Sequence, residues 1–303
     1  MIPVAHLIAA LRFAPLLPGI INRTKAVVGG RRGQPMLQCY WDIAKLARKG
    51  AAVRNTTTWL FFAGPAVALA ATLLAATLVP FGGEASPVSF AGDFLLFAAL
   101  LGLARFATVL AALDTGSAFE GMGASREMQF GALAELGIFL ALAALAQSSG
   151  SLSLSGMIAP AGGAHQGAAW PVAALLCASL FVLMLAENAR IPVDDPATHL
   201  ELTMIHEVMV LDHGGPDLAF ITFGQALKLW IFSAILVGLA VPLPAELPWA
   251  WTALHLAASA AVAVLVGLVE STMARLRLVR VPQLLVVAAA LAIVAMMALF
   301  SVR

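Results

Sequence analysis

The chain has 303 residues, of which 61% are hydrophobic and only 11% are charged, and its formal net charge at pH 7 is +1. Soluble domains are about a quarter charged, and a soluble fold of this length could not keep so much apolar surface away from water. We therefore expect a lipid bilayer around the chain. The small net charge gives no electrostatic reason to bind nucleic acid, so we expect no nucleic-acid partner. The composition predicts an all-α, polytopic integral membrane protein.

Eight apolar segments are long enough to cross a membrane, which takes about 20 mostly apolar residues for each helix. The first is the weakest, because Arg12, Pro15 and Pro18 interrupt it. It lacks the basic start and the small-residue cleavage site of a signal peptide, so we expect it to be retained. The pattern predicts a single membrane domain over residues 1–303, with spans near 3–21, 58–80, 91–113, 129–147, 168–187, 217–241, 249–270 and 282–302.

Lysine and arginine are distributed so unevenly that they predict the orientation of the spans. Thirteen of them lie in four alternate loops, and the three loops on the other side contain none. By the positive-inside rule, the basic loops face the cytoplasm, and both termini lie on the non-cytoplasmic side of the membrane. We expect this membrane to be the inner (plasma) membrane of a prokaryote. The predicted inner loops are residues 22–57, 114–128, 188–216 and 271–281, and the outer loops lie near 81–90, 148–167 and 242–248.

The first inner loop contains the pattern of a short amphipathic helix. Residues 36–49 place Leu37, Tyr40 and Trp41 on one helical face and keep the charged side chains off that face. This segregation predicts a helix that lies in the membrane interface.

Two helix starts are also predicted at the inner side. A short helix is expected over 196–212, with Asp195 as its N-cap and Pro196 in its first turn. Ser125 is a candidate N-cap for the fourth span, which would place Glu127 in its first turn, where the helix dipole favours a carboxylate.

Ionisable residues inside the spans need an explanation, because a charge in hydrocarbon costs at least about 2.5–3.5 kcal/mol. Asp93 lies near the outer boundary, and we interpret it as structural. Arg105 and Glu135 lie well inside their spans, where ion coupling and structural pairing are both open. Lys228 lies roughly mid-span without an identifiable partner, and Glu270 is open between both interpretations.

Ionisable side chains are densest in two inner segments. The second of these, from Glu187 to His213, has ten charged or imidazole groups in 27 residues, which exceeds what solubility requires. Because imidazoles titrate near neutral pH and burial shifts carboxylates, proton handling is one interpretation, and clamping of loops to partner subunits is the other. The candidate residues for proton or ion coupling are Glu120, Arg126, Glu127, Glu135, Glu187, Arg190, Asp194, Asp195, His199, Glu201, His206, Glu207, Arg105 and Lys228.

Cofactor ligands are sparse in the sequence. His199 and His206 could share a helical face, but the dipeptide His206-Glu207 lacks the second histidine of a zinc-protease motif, so we expect no metal site. Cys39 and Cys177 cannot supply the four thiolates of an iron–sulfur cluster or a structural zinc site. No catalytic or nucleotide-binding fingerprint appears, so we expect no catalytic residue and no bound cofactor in this chain.

Two long motifs carry a resemblance to a known family. The first reads Leu113-Asp-Thr-Gly-Ser-Ala-Phe-Glu-Gly-Met-Gly-Ala-Ser-Arg-Glu127, and the second begins Glu187-Asn-Ala-Arg-Ile-Pro-Val-Asp-Asp-Pro and continues to His213. With them the chain resembles the membrane-anchor subunits of group 4 energy-converting nickel–iron hydrogenases, which include hydrogenase-4 component C and formate hydrogenlyase subunit 4. That family is related to the heel-shaped membrane subunit at the junction of the two arms of respiratory complex I.

The resemblance implies a non-catalytic helical subunit that anchors a peripheral redox arm and links electron transfer to proton or sodium translocation. It implies that a nickel–iron centre and iron–sulfur clusters belong to partners, namely hydrogenase-like large and small subunits and a ferredoxin-like iron–sulfur subunit. Antiporter-like membrane subunits are the implied ion-moving partners. The charged path of the family corresponds to Arg126, Glu127, Glu135 and the run from Glu187 to Glu207.

Three other functions stay open at this point: the quinone-site subunit of a complex I-type NADH dehydrogenase, an independent secondary ion transporter, and a purely structural anchor. Complex I subunits typically have a Pro-Phe-Asp run and a string of glutamates where this chain has Pro192-Val-Asp-Asp. Their Gly-Pro-Asn element is replaced by Arg32-Gly-Gln-Pro35. Both departures favour the hydrogenase-type branch, and the lack of an internal repeat disfavours a transporter.

Overall fold

The computed structural model describes residues 2–51, 53, 56–158, 170–195, 202–241 and 248–302. Within these ranges every long element is an α-helix, and the one strand-like contact is an isolated bridge between Phe81 and Glu84. The helices are α1 (Ile2–Phe13), α2 (Leu16–Val28), α3 (Gln38–Leu46), α4 (Trp59–Leu78), α5 (Asp93–Asp114), α6 (Ala118–Ser149), α7 (Leu154–Ile158), α8 (Trp170–Glu187), α9 (Gly215–Ala240), α10 (Pro248–Thr272) and α11 (Val281–Val302).

Seven helices of the described chain are long and apolar enough to cross a membrane, and the mean hydropathy of their most apolar 18-residue stretches ranges from 1.7 to 2.6. They are α4, α5, α6, α8, α9, α10 and α11, and each overlies one of the predicted spans. Because a helix satisfies all its backbone groups internally, it is one of the two folds that can cross hydrocarbon. The prediction of an all-α, polytopic membrane protein is confirmed.

The first predicted span, residues 3–21, is not one continuous helix. It breaks at Ala14 and Pro15, because proline has no backbone N–H and disfavours the helical conformation of the residue before it. The amide of Leu17 reaches only the carbonyl of Ala14, at 3.2 Å, which is a tighter turn than an α-helix makes. α2 then continues to Val28, well into the segment predicted as an inner loop.

The predicted inner loop 114–128 is mostly helical, which corrects the expected helix start. α6 begins at Ala118, so the hydroxyl of Ser125 donates to the Met122 carbonyl inside the helix, at 2.9 Å, and does not cap it. Gly123 has a packing role in this glycine-rich part of α6. A Cβ on Gly123 would lie 2.3 Å from Val208, so the missing side chain lets the following loop pack directly on α6.

The helix predicted over 196–212 is also wrong within its described part. Residues 202–206 are not helical, and only Glu207–Val210 form a single 3-10 turn; residues 196–201 lie outside the described ranges. The carboxylate of Asp194 accepts hydrogen bonds from the amides of Ile205 and His206, at 3.1 and 3.0 Å. A side chain therefore satisfies backbone donors that a helix would otherwise use.

The amphipathic helix predicted over 36–49 is confirmed as α3. Trp41 on this helix and Leu37 just before it are 66% and 50% exposed, whereas Ile43 and Leu46 are half-buried against the rest of the chain. The hydroxyl of Tyr40 donates to the carbonyl of Arg12 and ties α3 to the end of α1. An exposed tryptophan on a short amphipathic helix is typical of the membrane interface.

The two ends of the bundle differ in chemistry. At one end the backbone amide and the hydroxyl of Thr58 both donate to the carboxylate of Asp114, at 2.6 and 2.8 Å, which joins the start of the predicted span 58–80 to the predicted inner loop 114–128. We call this the basic end. At the other, which we call the opposite end, the amide of Gly82 donates to Nδ1 of His255 at 3.2 Å, and buried Asp93 accepts from the amide of Leu154 at 2.6 Å.

The core between the ends is built both by helices that are consecutive in the chain and by helices that are distant in sequence. α4 packs against α5 and α9, α11 packs against α6 and α8, and α10 packs against α2. Trp230, Phe97 and Leu142 are among its largest buried side chains. The contacts of Asp93 at the N-termini of α5 and α7 agree with its interpretation as a structural residue.

Candidate functional site

Arg105, in the middle of α5, is the centre of a buried ionic cluster. Its side chain is only 6% exposed. Its Nε lies 3.3 Å from Oε1 of Glu127, and its two terminal nitrogens donate to Glu135 and Glu187. An arginine stays protonated at any physiological pH, so its charge at this depth requires such partners.

Glu187 extends the cluster to a second cation. Its side chain is 2% exposed, and its other carboxylate oxygen lies 3.4 Å from Nζ of Lys228 on α9. The mid-span lysine therefore has a partner that the sequence could not identify. The cluster joins α5, α6, α8 and α9 and contains two cations and three carboxylates, so one bound proton would make it electrically neutral.

The surface of α6 is shaped to receive the Arg105 guanidinium. Glu127, Gly131 and Glu135 follow one another at intervals of four residues, which places them on one face of the helix. A Cβ on Gly131 would lie 2.6 Å from Nε of Arg105, so the arginine crosses α6 over this glycine. Gly102 on α5 has the matching role, because a Cβ there would lie 3.1 Å from the Glu135 carboxylate.

Two small cavities adjoin the cluster. One, of about 20 Å³, lies toward the basic end, and its lining includes Arg105, Glu127, Glu187 and Asp194. The other, of about 50 Å³, has a lining that includes Arg105, Glu127, His206, Gln225 and Lys228. Because one water needs roughly 10–15 Å³ of such space and several polar partners, both cavities can hold water in contact with the cluster.

A separate set of contacts holds the loop between α8 and α9. Besides the amides of Ile205 and His206, Asp194 contacts the guanidinium of Arg275 at 2.9 Å. The guanidinium of Arg126 donates to the carbonyls of Leu202 and Met204, at 2.7 and 2.8 Å. In this structure the contacts of Asp194 and Arg126 are those of a clamp on the loop.

A third group links the basic end of α10 to α2. Glu270, whose side chain is fully buried, lies 2.7 Å from Nζ of Lys25 and 3.4 Å from Arg190. The sequence left the role of Glu270 open between ion coupling and structural pairing, and the structure gives this carboxylate two cationic partners. Arg190 is therefore a member of this group and ties the start of the loop after α8 to α10.

The remaining predicted site residues lie around the loop or beyond the described ranges. Glu120 is buried in the first turn of α6 and accepts from the amide of Asp212 at 3.1 Å. The amide of Asp195 donates to Asp194 at 2.9 Å, and Glu207 begins the 3-10 turn. His199 and Glu201 lie outside the residues that the structure describes.

The imidazoles of the second motif are not equivalent. His213 is buried and stacks on Phe61 with ring centroids 4.1 Å apart. Burial lowers its pKa from 6.5 to about 4, because the charged ring would lose its hydration. His213 is therefore neutral at physiological pH, whereas the His206 ring lines the cavity beside Lys228.

Sequence reasoning missed three residues that the geometry makes prominent. In the sequence, nothing distinguishes Lys25 and Arg275 from the other positive charges of the inner loops. In the structure, Lys25 contacts the buried carboxylate of Glu270, and Arg275 contacts that of Asp194. The third is Gly131. Its signal is present in the sequence, because it stands midway between Glu127 and Glu135 on the same helical face.

The family model for NADH dehydrogenase matches residues 2–301 of the chain. The chain belongs to the NADH dehydrogenase family. Formate hydrogenlyase subunit 4 of Escherichia coli (strain K12) is 31% identical to this family member over 93% of the chain and 92% of its own length. The resemblance stated from the two motifs is confirmed.

Two further relatives belong to the same comparison. Hydrogenase-4 component C of Escherichia coli (strain K12) is 31% identical to this NADH dehydrogenase family member over 78% of the chain and 74% of its own length. An NADH-quinone oxidoreductase subunit of Geobacter sulfurreducens is 30% identical over 55% of the chain and 53% of its own length.

A solved structure shares the fold of this family member. It is the membrane-bound sulfane sulfur reductase, an archaeal respiratory membrane complex. One of its chains matches with a TM-score of 0.81 and 21% sequence identity, over 97% of this chain and 98% of that chain. At 21% sequence identity, the match shows only that the fold is shared.

We predict that Gly131→Ala destabilises the protein, whereas Gly121→Ala on the same helix does not. The new methyl group at 131 has to displace Arg105, and overpacking of this kind costs about 1–3 kcal/mol. At Gly121 a Cβ meets nothing within 4 Å, so the usual gain of about 0.5–1 kcal/mol for alanine in a helix remains. Thermal unfolding of the purified complex in detergent measures both, and equal shifts for the two variants would contradict the close approach of Arg105 to α6.

Proposed function

We propose that this chain is the non-catalytic membrane-anchor and coupling subunit of a complex I-like, group 4 hydrogenase-like oxidoreductase. It docks a peripheral redox arm and links electron transfer there to the movement of protons or sodium ions across a prokaryotic membrane. Family membership and the names of the relatives support the class of complex. The single observation that carries the coupling role is the contact of buried Arg105 with three carboxylates.

The coupling path begins at the loop between α8 and α9. This loop meets the Arg105 cluster at the two small cavities, one lined by Asp194 and the other by His206. A change in the clamp at Asp194 alters the field and the water at its cavity, and buried carboxylates respond to such a change by gaining or losing a proton. The excess carboxylate of the cluster gives the proton a place to bind.

Glu135 is the outlet of the proposed path. Its side chain is 43% exposed on the surface of this chain, although it lies well inside the membrane span. A carboxylate facing lipid at this depth would be costly. We infer that an antiporter-like membrane subunit covers this face and offers a polar or protonatable group to Glu135.

The peripheral arm docks at the basic end. Val279 and Leu202 are 81% and 67% exposed there, in the region of Arg275, Arg277 and Arg280. Exposed apolar side chains rimmed by charge are typical of a protein interface. The partners proposed for this surface are hydrogenase-like large and small subunits and a ferredoxin-like iron–sulfur subunit, which would hold the nickel–iron centre and the iron–sulfur clusters.

We predict that Glu135→Gln uncouples the complex without stopping assembly. Glutamine keeps the shape and one acceptor oxygen for Arg105 but cannot carry a titrating proton. The number of ions moved per electron in proteoliposomes should fall, while electron transfer measured with an ionophore stays close to that of the native complex.

The control for Glu135→Gln is Asp42→Asn, which neutralises an exposed carboxylate of α3 that accepts from Gln38. It should leave the ion-to-electron ratio unchanged. A native ratio in Glu135→Gln would remove this residue from the path, and failure of assembly would identify it as structural.

We also predict that the basic end faces the cytoplasm. In a background with Cys39 and Cys177 replaced by serine, Val88→Cys should react with a membrane-impermeant thiol reagent in intact cells, because Val88 is 46% exposed at the opposite end. Lys45→Cys on α3 should react only after the cells are permeabilised. The reverse pattern would overturn the orientation and place both termini in the cytoplasm.

A further inference from the structure

The opposite end of the bundle contains a cavity that the coupling path does not use. It has a volume of about 260 Å³, and its lining includes Phe81, Gly82, Glu84, Ser155, Gly238 and His255. Most of the lining is apolar, and Glu84, Ser155 and His255 are its polar side chains. The volume is sufficient for several water molecules, each of which needs roughly 10–15 Å³ of such space.

His255 is the titratable group at the wall of this cavity. It lies in α10 and is only 2% exposed. Its Nδ1 accepts from the amide of Gly82 at 3.2 Å, so the proton of the neutral ring is on Nε2. The Nε2 atom is buried near the carbonyl of Ala234 but makes no hydrogen bond of normal geometry to the described residues.

Two more buried polar atoms lie in the same region. The indole nitrogen of Trp230 and the hydroxyl of Ser259 are buried without a hydrogen-bond partner in the described part of the chain. Ser259 is four residues after His255 on the same face of α10. The Phe81 ring lies between Trp230 and His255, with centroid distances of 5.1 and 4.1 Å.

Buried polar groups are nearly always satisfied, so the indole nitrogen of Trp230 and the hydroxyl of Ser259 indicate water inside the bundle near His255. We propose that His255 is a proton-exchange site, reached by water from the opposite end through this cavity. The proposal rests on the coupling function, because the protons exchanged at the ring would be those that the Arg105 cluster handles.

The exchange step conserves protons and uses no other reagent. The neutral ring takes up a proton from hydronium in the cavity at Nδ1 when the Gly82 hydrogen bond opens, and it then releases the Nε2 proton to interior water. A flip of the ring, which exchanges the positions of its two nitrogens, restores the starting tautomer before the next transfer. The reverse sequence carries a proton outward. The other titratable groups that face this site are His6 of α1, which stacks on Phe81 at 4.9 Å, and Glu84 in the cavity lining.

Exchange of the C2 hydrogen of histidine for deuterium tests the proposal, because its rate depends on water access and on ring protonation. We would measure it by mass spectrometry in the assembled complex, in sealed vesicles with the pH clamped separately on the two sides. The rate at His255 is expected to follow the pH on the side of Val88. A ring that does not exchange, or that follows the pH on the side of Lys45, overturns the proposal.

A pair of variants tests the cavity without altering His255. Ala85→Phe places a large ring in the cavity lining and is expected to slow the exchange of His255 several-fold. Val88→Phe, at an exposed neighbouring position outside the lining, is the matched control and should leave the rate unchanged. Equal rates in both variants and the native chain would contradict access through this cavity. Neither measurement depends on ion coupling, so failure of the Glu135→Gln prediction would be seen separately.

Discussion

One constraint organises the middle of this protein: the permanent charge of Arg105 lies where hydrocarbon would make it costly. A guanidinium cannot be neutralised by losing its proton, so neighbouring helices have to supply carboxylates. The glycines at positions 102 and 131 follow from the same requirement, because side chains there would separate the charges. Removing one partner of such a buried pair typically costs about 3–5 kcal/mol, so the cluster fixes how α5, α6 and α8 pack.

Among the described residues, three groups of charged side chains have different tasks. The Arg105 cluster lies within the bundle and holds an excess carboxylate. The Asp194 group binds backbone atoms of the loop between α8 and α9, and the Glu270 group ties α10 to α2. Because Asp194 and the Arg105 cluster meet at a water-sized cavity, the loop can influence the cluster through water and electric field.

Hydropathy was sufficient to predict most of the fold, and local patterns failed where distant contacts decide the backbone. Seven long helices overlie predicted spans, because each must satisfy the same bilayer thickness. The helix expected over 196–212 does not form at 202–206, because Asp194 and Arg126 satisfy its backbone groups. The partner of Arg126 is 76 residues away in sequence, a separation that periodicity cannot reveal.

For the candidate site too, the sequence indicated local features but not the contacts between distant residues. The motifs indicated which residues are charged and which inner segments they occupy, and the burial cost of Arg105 and Glu135 marked them for attention. The sequence could not reveal that Arg105 contacts three carboxylates at once or that Glu187 also faces Lys228. These contacts arise from the packing of four helices, whereas capping and amphipathicity are properties of a single helix.

Redox-induced infrared difference spectroscopy of the assembled complex tests the central claim most directly, because it detects carboxyl groups that gain or lose a proton when the peripheral arm is reduced. We predict a carboxyl signal in the native complex that is lost in one of the three variants Glu127→Gln, Glu135→Gln and Glu187→Gln. A spectrum without carboxyl changes, or one that is the same in all three variants, would contradict a protonation change in the Arg105 cluster.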